Sequence, residues 1–269
     1  MRVVTYNIHA GVDGYGRAND VLDSAVAIGP DLLFAQEVFR GDVDQYEELR
    51  TRLHLEGTFV SLGAGERVTG AAGGRGWQSP LALLRGEEGL FFDERRELTS
   101  HQQSVRSRSL GREAGHWGVA LLTSLPIVSI NIDELPQLRR DKVHRFLVVA
   151  ELTLDGKNFY AVGVHGAHLT HGSLLQYRHV ARRLDELSTR LPVVVGGDFN
   201  CWRPLLRTVL PKWRTGVRAK TWPAWRAHSQ IDHLLFRGPW QLVDAHAVNG
   251  PSDHKALVVQ AQFVDQRND

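Results

Sequence analysis

The stretch LPVVVGGDFNCW, Leu191–Trp202, sets three valines suited to burial almost directly before Asp198 and Asn200. Apolar β-branched residues closed by glycines read as a core strand reaching its end, and a strand end is where a rigid scaffold can present polar side chains to a cleft. The chemistry of that cleft depends on what else converges there.

Working outward, RVVTYNI, DLLFAQEV, WGVALLTSLPIVSI, RFLVVAELTL, FYAVGVHGAHL, SQIDHLLF and HKALVVQAQFV are likewise short, apolar and bounded by turn residues, and are expected to be strands. Residues 19–28, 42–53 and 173–190 show helical spacing. In the last, Leu174, Leu175, Tyr177, Val180, Ala181, Leu184 and Leu187 share a face, and Asn19, Gly172 and Ser173 are expected as caps. Strands and helices mingle without strict βαβ alternation, which predicts an α+β layered sandwich rather than a Rossmann fold or a barrel. The segments 61–78, rich in glycine, and 99–115, rich in arginine, are expected to be long loops. No linker divides the chain, so one domain over residues 1–269 is expected.

With 42% hydrophobic and 23% charged residues, the 269-residue chain has an ordinary globular composition. Its opening, MRVVTYNIHAG, turns polar too soon for a secretory signal, and no apolar run approaches the ~20 residues of a membrane span. A cytoplasmic monomer is the expectation. The lone Cys201 excludes an intrachain disulfide framework and a cysteine-rich zinc site, and reads as a packed thiol rather than a nucleophile. A net charge of +2 gives no overall cationic field, yet of the 32 basic residues only Lys142, Lys157, Lys212, Lys220 and Lys255 are lysines. Arginine suits phosphate because its planar fork donates two hydrogen bonds at once.

Six strand boundaries in this reading end in carboxylate, amide or imidazole: Asn7 and His9, Gln36 and Glu37, His165 and His168, Asp198 and Asn200, Asp232 and His233, then Ser252, Asp253 and His254. Gathered around one cleft, such a set suits metal-assisted attack on phosphate, since carboxylates hold a hard cation and imidazole donates to phosphoryl oxygens. The ordered series TYNIH, QEV, WGVALLTSLPI, HL, GGDFN, TWP with QIDHLL, and SDHKAL resembles the endonuclease/exonuclease/phosphatase superfamily from Arg2 to Val259. The resemblance implies a four-layer α/β sandwich, two packed mixed β-sheets flanked by helices, with the site at one rim. It implies Glu37 as metal-ligand carboxylate, Asn7 as its supporting amide and Asp253 as a further metal or water contact. Asp198 matches the acid that orients or deprotonates the attacking water, Asn200 the neighbouring amide, His254 the histidine on the scissile phosphate and Asp232 the acid that orients it. For the mid-chain histidine His168, in the HL pair, is the closer match, with His165 left open because the sequence reads HGAHL. The oxygen-rich set implies Mg2+, with Mn2+ able to substitute.

His9 lies two positions after Asn7, so on a strand it would share that face and touch phosphate, or else pack. Arg145, in LRRDKVHR with Arg139, Arg140 and Lys142, is expected on the rim, and Trp222 and Trp225 are candidates for stacking on a base or sugar. His233 would point away from the site. These features favour a nuclease acting on DNA or RNA, with a small or lipid-derived phosphate ester as the other substrate class.

Overall fold

The computed structural model describes residues 1–13, 18–71, 91–93, 109–141, 143–168 and 171–264, with isolated positions 97, 100, 103 and 107. Thirteen strands are found among them. The first sheet contains β1 (Arg2–Asn7), β2 (Leu32–Arg40), β3 (Glu56–Ala71), β4 (Phe91–Asp93) and β5 (Ser109–Thr123). The second contains β6 (Ile127–Glu134), β7 (Phe146–Leu154), β8 (Lys157–His165), β9 (Val193–Asp198), β10 (Arg214–Thr215) and β11 (Asp232–Arg237). Two further strands, β12 (Trp240–Val248) and β13 (Ala256–Phe263), return to the first sheet. The orders are β12-β13-β1-β2-β5-β3-β4 and β10-β11-β9-β8-β7-β6. Four α-helices, α1 (Val21–Ile28), α2 (Gln45–Leu53), α3 (Leu174–Ser188) and α4 (Arg203–Val209), and two 3₁₀ turns, His9–Gly11 and Ala224–Arg226, complete the described elements.

Strand alternation explains the layering. In β9, Val194 packs between the sheets with Val3, Leu32 and Phe34, while Val193 and Val195 pack against Tyr177 and Leu184 of α3 and Leu206 of α4. In β1, Val3 faces the other sheet and Val4 and Tyr6 face Val21 of α1 and Leu49 of α2. Both faces of the central strands are therefore covered, which is why the valines run on without a polar partner. Each of the three valines is 0% exposed and contributes on the order of 2 kcal/mol by leaving water. The four-layer sandwich with mixed sheets is thus as expected.

The glycines after the valines answer to space. A Cβ on Gly196 would lie 2.1 Å from Cδ2 of Phe34, and one on Gly197 would lie 1.9 Å from the carbonyl oxygen of Val164. Gly196 lets the Phe34 ring fill the gap between the sheets, and Gly197 lets β9 lie close to β8.

Several expectations are corrected. WGVALLTSLPIVSI is two strands: the chain turns at Ser124–Pro126 and passes from β5 in the first sheet to β6 in the second. Residues 61–71 and 109–115, expected as loops, are strand, because β3 and β5 pair from Glu56↔Thr123 to Ala71↔Ser109 and ladder bonding overrides the weak strand preference of their glycines. The rest of both expected loops lies largely outside the described residues. The helices begin later than expected. Asn19 accepts from the N–H of Val21 just before α1, and Asp44 caps α2 by accepting from the N–H of Glu47 at 3.0 Å. Ser173 precedes α3 without a side-chain cap bond.

Candidate active site

Strand parity aims the polar ends into the gap between the sheets. Asp198 shares its side of β9 with Val194 and Gly196; Asp232 shares its side of β11 with Leu234 and Phe236. His165 follows Ala161 and Gly163 in β8, and Asn7 follows Val3 and Thr5 in β1. β8 and β9 are parallel, with His165 opposite Asp198, and Asp232 opposes Asp198 across the antiparallel pair of β9 and β11. One end of the inter-sheet layer, apolar along its length, thus closes on a cluster of acids and imidazoles. His233, of opposite parity, faces the helices: its Nε2 lies 2.8 Å from the carbonyl oxygen of Cys201.

Glu37 reaches the same gap by a different device. The register between β2 and β5 shifts between Gln36 and Val38, and Glu37 takes φ 56°, a left-handed backbone that costs a non-glycine residue about 1–3 kcal/mol. The bulge brings the carboxylate within 3.1 Å of Asn7 Nδ2. The same amide nitrogen donates to Asp198 Oδ2 at 3.1 Å, so Asn7 ties an acid of each sheet together.

Asp198 also accepts the backbone N–H of Asn200 on Oδ1 at 2.7 Å. Asn200, at φ 49°, donates its side-chain amide to the carbonyl of Gly166 at 3.1 Å. His254 Nδ1 lies 2.9 Å from Asp232 Oδ2, and its Nε2 lies 3.9 Å from Asp198 Oδ2. The indole N–H of Trp222 donates to Asp253 at 3.1 Å, and His9 Nδ1 lies 3.2 Å from Asp253 Oδ1 and 2.9 Å from the Val12 carbonyl oxygen. Asn7, Asp198, Asp232, Asp253 and His254 are all at most 5% exposed, and Glu37 is the more accessible acid, with 24% of its side chain exposed.

The charges are strongly coupled. Burial, with the neighbouring charge of Asp232, pushes the Asp198 carboxyl up to about 8 against the opposing pull of His254 and the Asn200 N–H. Burial works to lower His254, but Asp232 and Asp253 outweigh it and hold the imidazole well above its usual value. Burial, followed by the charges of Arg145 and His254, holds His165 well below the usual histidine value.

The mid-chain pair separates spatially. His165 is 3% exposed, with Nε2 3.8 Å from Glu37 Oε1 and 3.9 Å from Asp198 Oδ2. His168 lies beyond the strand end, its ring 6.1 Å from that of His171. What distinguishes them is where β8 ends: His165 is its last residue and shares the inner face with Ala161 and Gly163. The strand ends at Asn7, so His9 does not share a strand face with it. His9 enters a 3₁₀ turn (His9–Gly11) at φ 49° and reaches Asp253 from there. Arg145 is not on the exposed rim. It is 7% exposed, covered by Asp141 Oδ2 at 3.0 Å, the His165 carbonyl at 3.5 Å and the ring of Trp117. Asp141, four residues before Arg145, is the partner that the basic reading of LRRDKVHR overlooked. Lys142 lies outside the described residues.

A model of the Endonuclease/Exonuclease/phosphatase family matches residues 4–254. A UPF0294 protein of Vibrio cholerae serotype O1 is 29% identical over 120 residues, 41% of this chain and 42% of that protein, so the match spans less than half of that curated relative. Among solved structures, an endonuclease/exonuclease/phosphatase from Beutenbergia cavernae superposes with a TM-score of 0.64 at 19% identity, covering 98% of this chain and 71% of that one. The human Nocturnin catalytic domain, solved with a bound sulfate anion, gives 0.63 at 16% identity over 98% of this chain and 94% of its own. Among the described residues no helix is long and apolar enough to cross a membrane.

Proposed function

The chain belongs to the endonuclease/exonuclease/phosphatase family, and from that premise we propose that it is a phosphoric ester hydrolase, a Mg2+-dependent phosphodiesterase that cleaves nucleic acid. The observation that carries the reading is the meeting of Asn7, Glu37, Asp198, Asp232 and His254 from both sheets at one end of the inter-sheet layer.

The residues fit a divalent cation. Asp232 Oδ1 is buried with no hydrogen-bond partner among the described residues, and Asp198, Asp232 and His254 offer ligand atoms within 4.8 Å of one another. Glu37, the accessible acid, tied to Asp198 of that group through Asn7, would hold Mg2+ at the mouth with Asp253, an oxygen-rich set of the kind that ion takes. When bound there it would supply Lewis-acid stabilisation of charge on the phosphoryl and leaving oxygens.

The protein groups then have separate tasks. Asp198, oriented by Asn7 and the Asn200 N–H, aligns the attacking water and, in its ionised form, takes its proton on a carboxylate oxygen. His254, kept protonated by Asp232, donates from Nε2 to the phosphoryl oxygens as charge builds in the transition state. We assign the mid-chain role to His165 rather than His168, on its distances to Glu37 and Asp198. Its uncharged ring orients substrate without repelling His254. Trp222 acts by holding Asp253, beside which His9 lies.

The exposed Arg139, Arg140, Arg178 and Arg226, in segments joined to the site ends of β7, β8 and β11, favour nucleic acid. One observation favours a small or lipid-derived phosphate ester instead: a net charge of +2 supplies little long-range attraction for a polyanion. Incubation with Mg2+, with and without EDTA, on plasmid DNA, single-stranded DNA, RNA, bis-p-nitrophenyl phosphate and p-nitrophenyl phosphate distinguishes them. Nucleic-acid cleavage with steep salt dependence supports the nuclease. Turnover of small esters alone supports the second reading, and no turnover of any substrate defeats both.

A further inference from the structure

The rim above the second sheet has a composition that the catalytic cluster does not require. The strands β11, β9, β8 and β7 are consecutive neighbours, and the described residues of the sequence stretches 218–230, 200–207, 166–178 and 136–145 enter or leave them at the site end. In all four segments the only acidic residue is Asp141, which is buried under Arg145. Trp225 and Trp202, 50% and 57% exposed, stand in the first two segments. Arg226, Arg178, Arg139 and Arg140 are exposed along the series. Trp225 is tied to the centre because the neighbouring Ala224 N–H donates to the Asp253 carbonyl at 2.6 Å. Trp202 follows Asp198 and Asn200 directly.

We propose that this rim is a track for single-stranded nucleic acid, with Trp202 and Trp225 stacking on unpaired bases either side of the scissile phosphate and the arginines following the backbone. This rests on the nuclease reading above and names its substrate class. The four strand ends span about 14 Å at ordinary strand spacing. Exposed indole faces bind any base by stacking, and cationic side chains without competing acids bind phosphate regardless of sequence. Stacking favours a single strand over a duplex, because a flexible single strand can turn its bases outward onto the tryptophans, whereas a duplex would have to be unstacked and deformed to do so.

The test uses the full chain with Mg2+ on a short fluorescein-labelled oligonucleotide, as DNA and as RNA, single-stranded and annealed to its complement, beside bis-p-nitrophenyl phosphate, a diester without bases. The single strand is expected to be cleaved with a kcat/KM roughly tenfold or more above the duplex. Trp202→Ala and Trp225→Ala should each lower strand kcat/KM, relative to that for the small diester, by roughly five- to thirty-fold, with Trp→Phe restoring most of it. The double variant Arg139→Glu/Arg140→Glu should flatten the dependence of log affinity on log salt by about 1.4. Cleavage of both nucleic-acid forms without tryptophan dependence, or a preference for duplex, overturns the track and leaves the nuclease reading standing. Hydrolysis of the small diester with no cleavage of any nucleic acid overturns both. Tryptophan-dependent binding to phosphatidylserine vesicles with none to oligonucleotides also overturns the track, and assigns the rim to a lipid surface.

Discussion

Replacing Gly196 by alanine would place a methyl carbon 2.1 Å from Phe34 Cδ2 and 2.7 Å from its Cε2, about 1.5 Å inside comfortable carbon–carbon contact. The ring has nowhere to go, since Phe34 is 0% exposed and lies among Val3, Val148 and Val194 between the sheets. Overpacking of this kind costs about 2–3 kcal/mol. Phe34→Ala removes the ring and leaves a cavity, at about 3–5 kcal/mol. In the double variant the new methyl no longer strikes the ring and fills part of its space, so the loss should fall about 1–2 kcal/mol short of the sum. Urea denaturation of the four proteins, with shared slopes, measures the cycle. Additivity within about 0.5 kcal/mol would refute the packing argument. Because Phe34 and Glu37 share β2 and Gly196 and Asp198 share β9, Gly196→Ala should also lower kcat by about tenfold or more, as misplacement near 1 Å does in preorganised sites.

Asp198→Ala and His254→Ala should each reduce kcat/KM by about a thousandfold with unchanged far-UV circular dichroism, and near-normal turnover in both would end the proposed mechanism. Glu37→Gln should raise the Mg2+ concentration for half-maximal activity by at least about tenfold, read by metal titration of EDTA-treated protein; an unchanged midpoint would remove Glu37 from the metal site. Cys201 is 0% exposed and burial pushes its thiol up to about 11, so modification of the native protein by a disulfide reagent at pH 8 should be at least about tenfold slower than that of the urea-unfolded chain. Rapid labelling of the native protein at neutral pH would contradict that burial.

What was legible in the sequence follows from which side chains state their surroundings. β1, β2, β7, β8, β9, β11 and β13 announce themselves because each carries a short apolar run that is buried on both faces. β12 was missed since Asp244 and His246 lie on its exposed stretch, and β3 since Gly63, Gly65 and Gly70 weaken its local preference. α4 was hidden within a basic run. The acids and amides of the candidate site could be picked out because they punctuate strand ends. Their geometry could not, as it depends on where each strand stops and on one slipped register. The end of β1 at Asn7 defeated the parity argument for His9, and no local feature of AQEV signals the bulge at Glu37. The choice between His165 and His168 likewise waits on where β8 ends.

Asn7 bonds Glu37 on its own sheet and Asp198 on the other, which makes the catalytic centre a gauge of how the two sheets are seated. Sliding one past the other by about 1 Å would part this amide from one acid, so loss of turnover on heating should coincide with collapse of the whole sandwich, with no earlier fraying of a loop. Cavity-filling changes deep in that apolar seam, far from any reacting atom, should accordingly extend the range of temperatures over which the enzyme works.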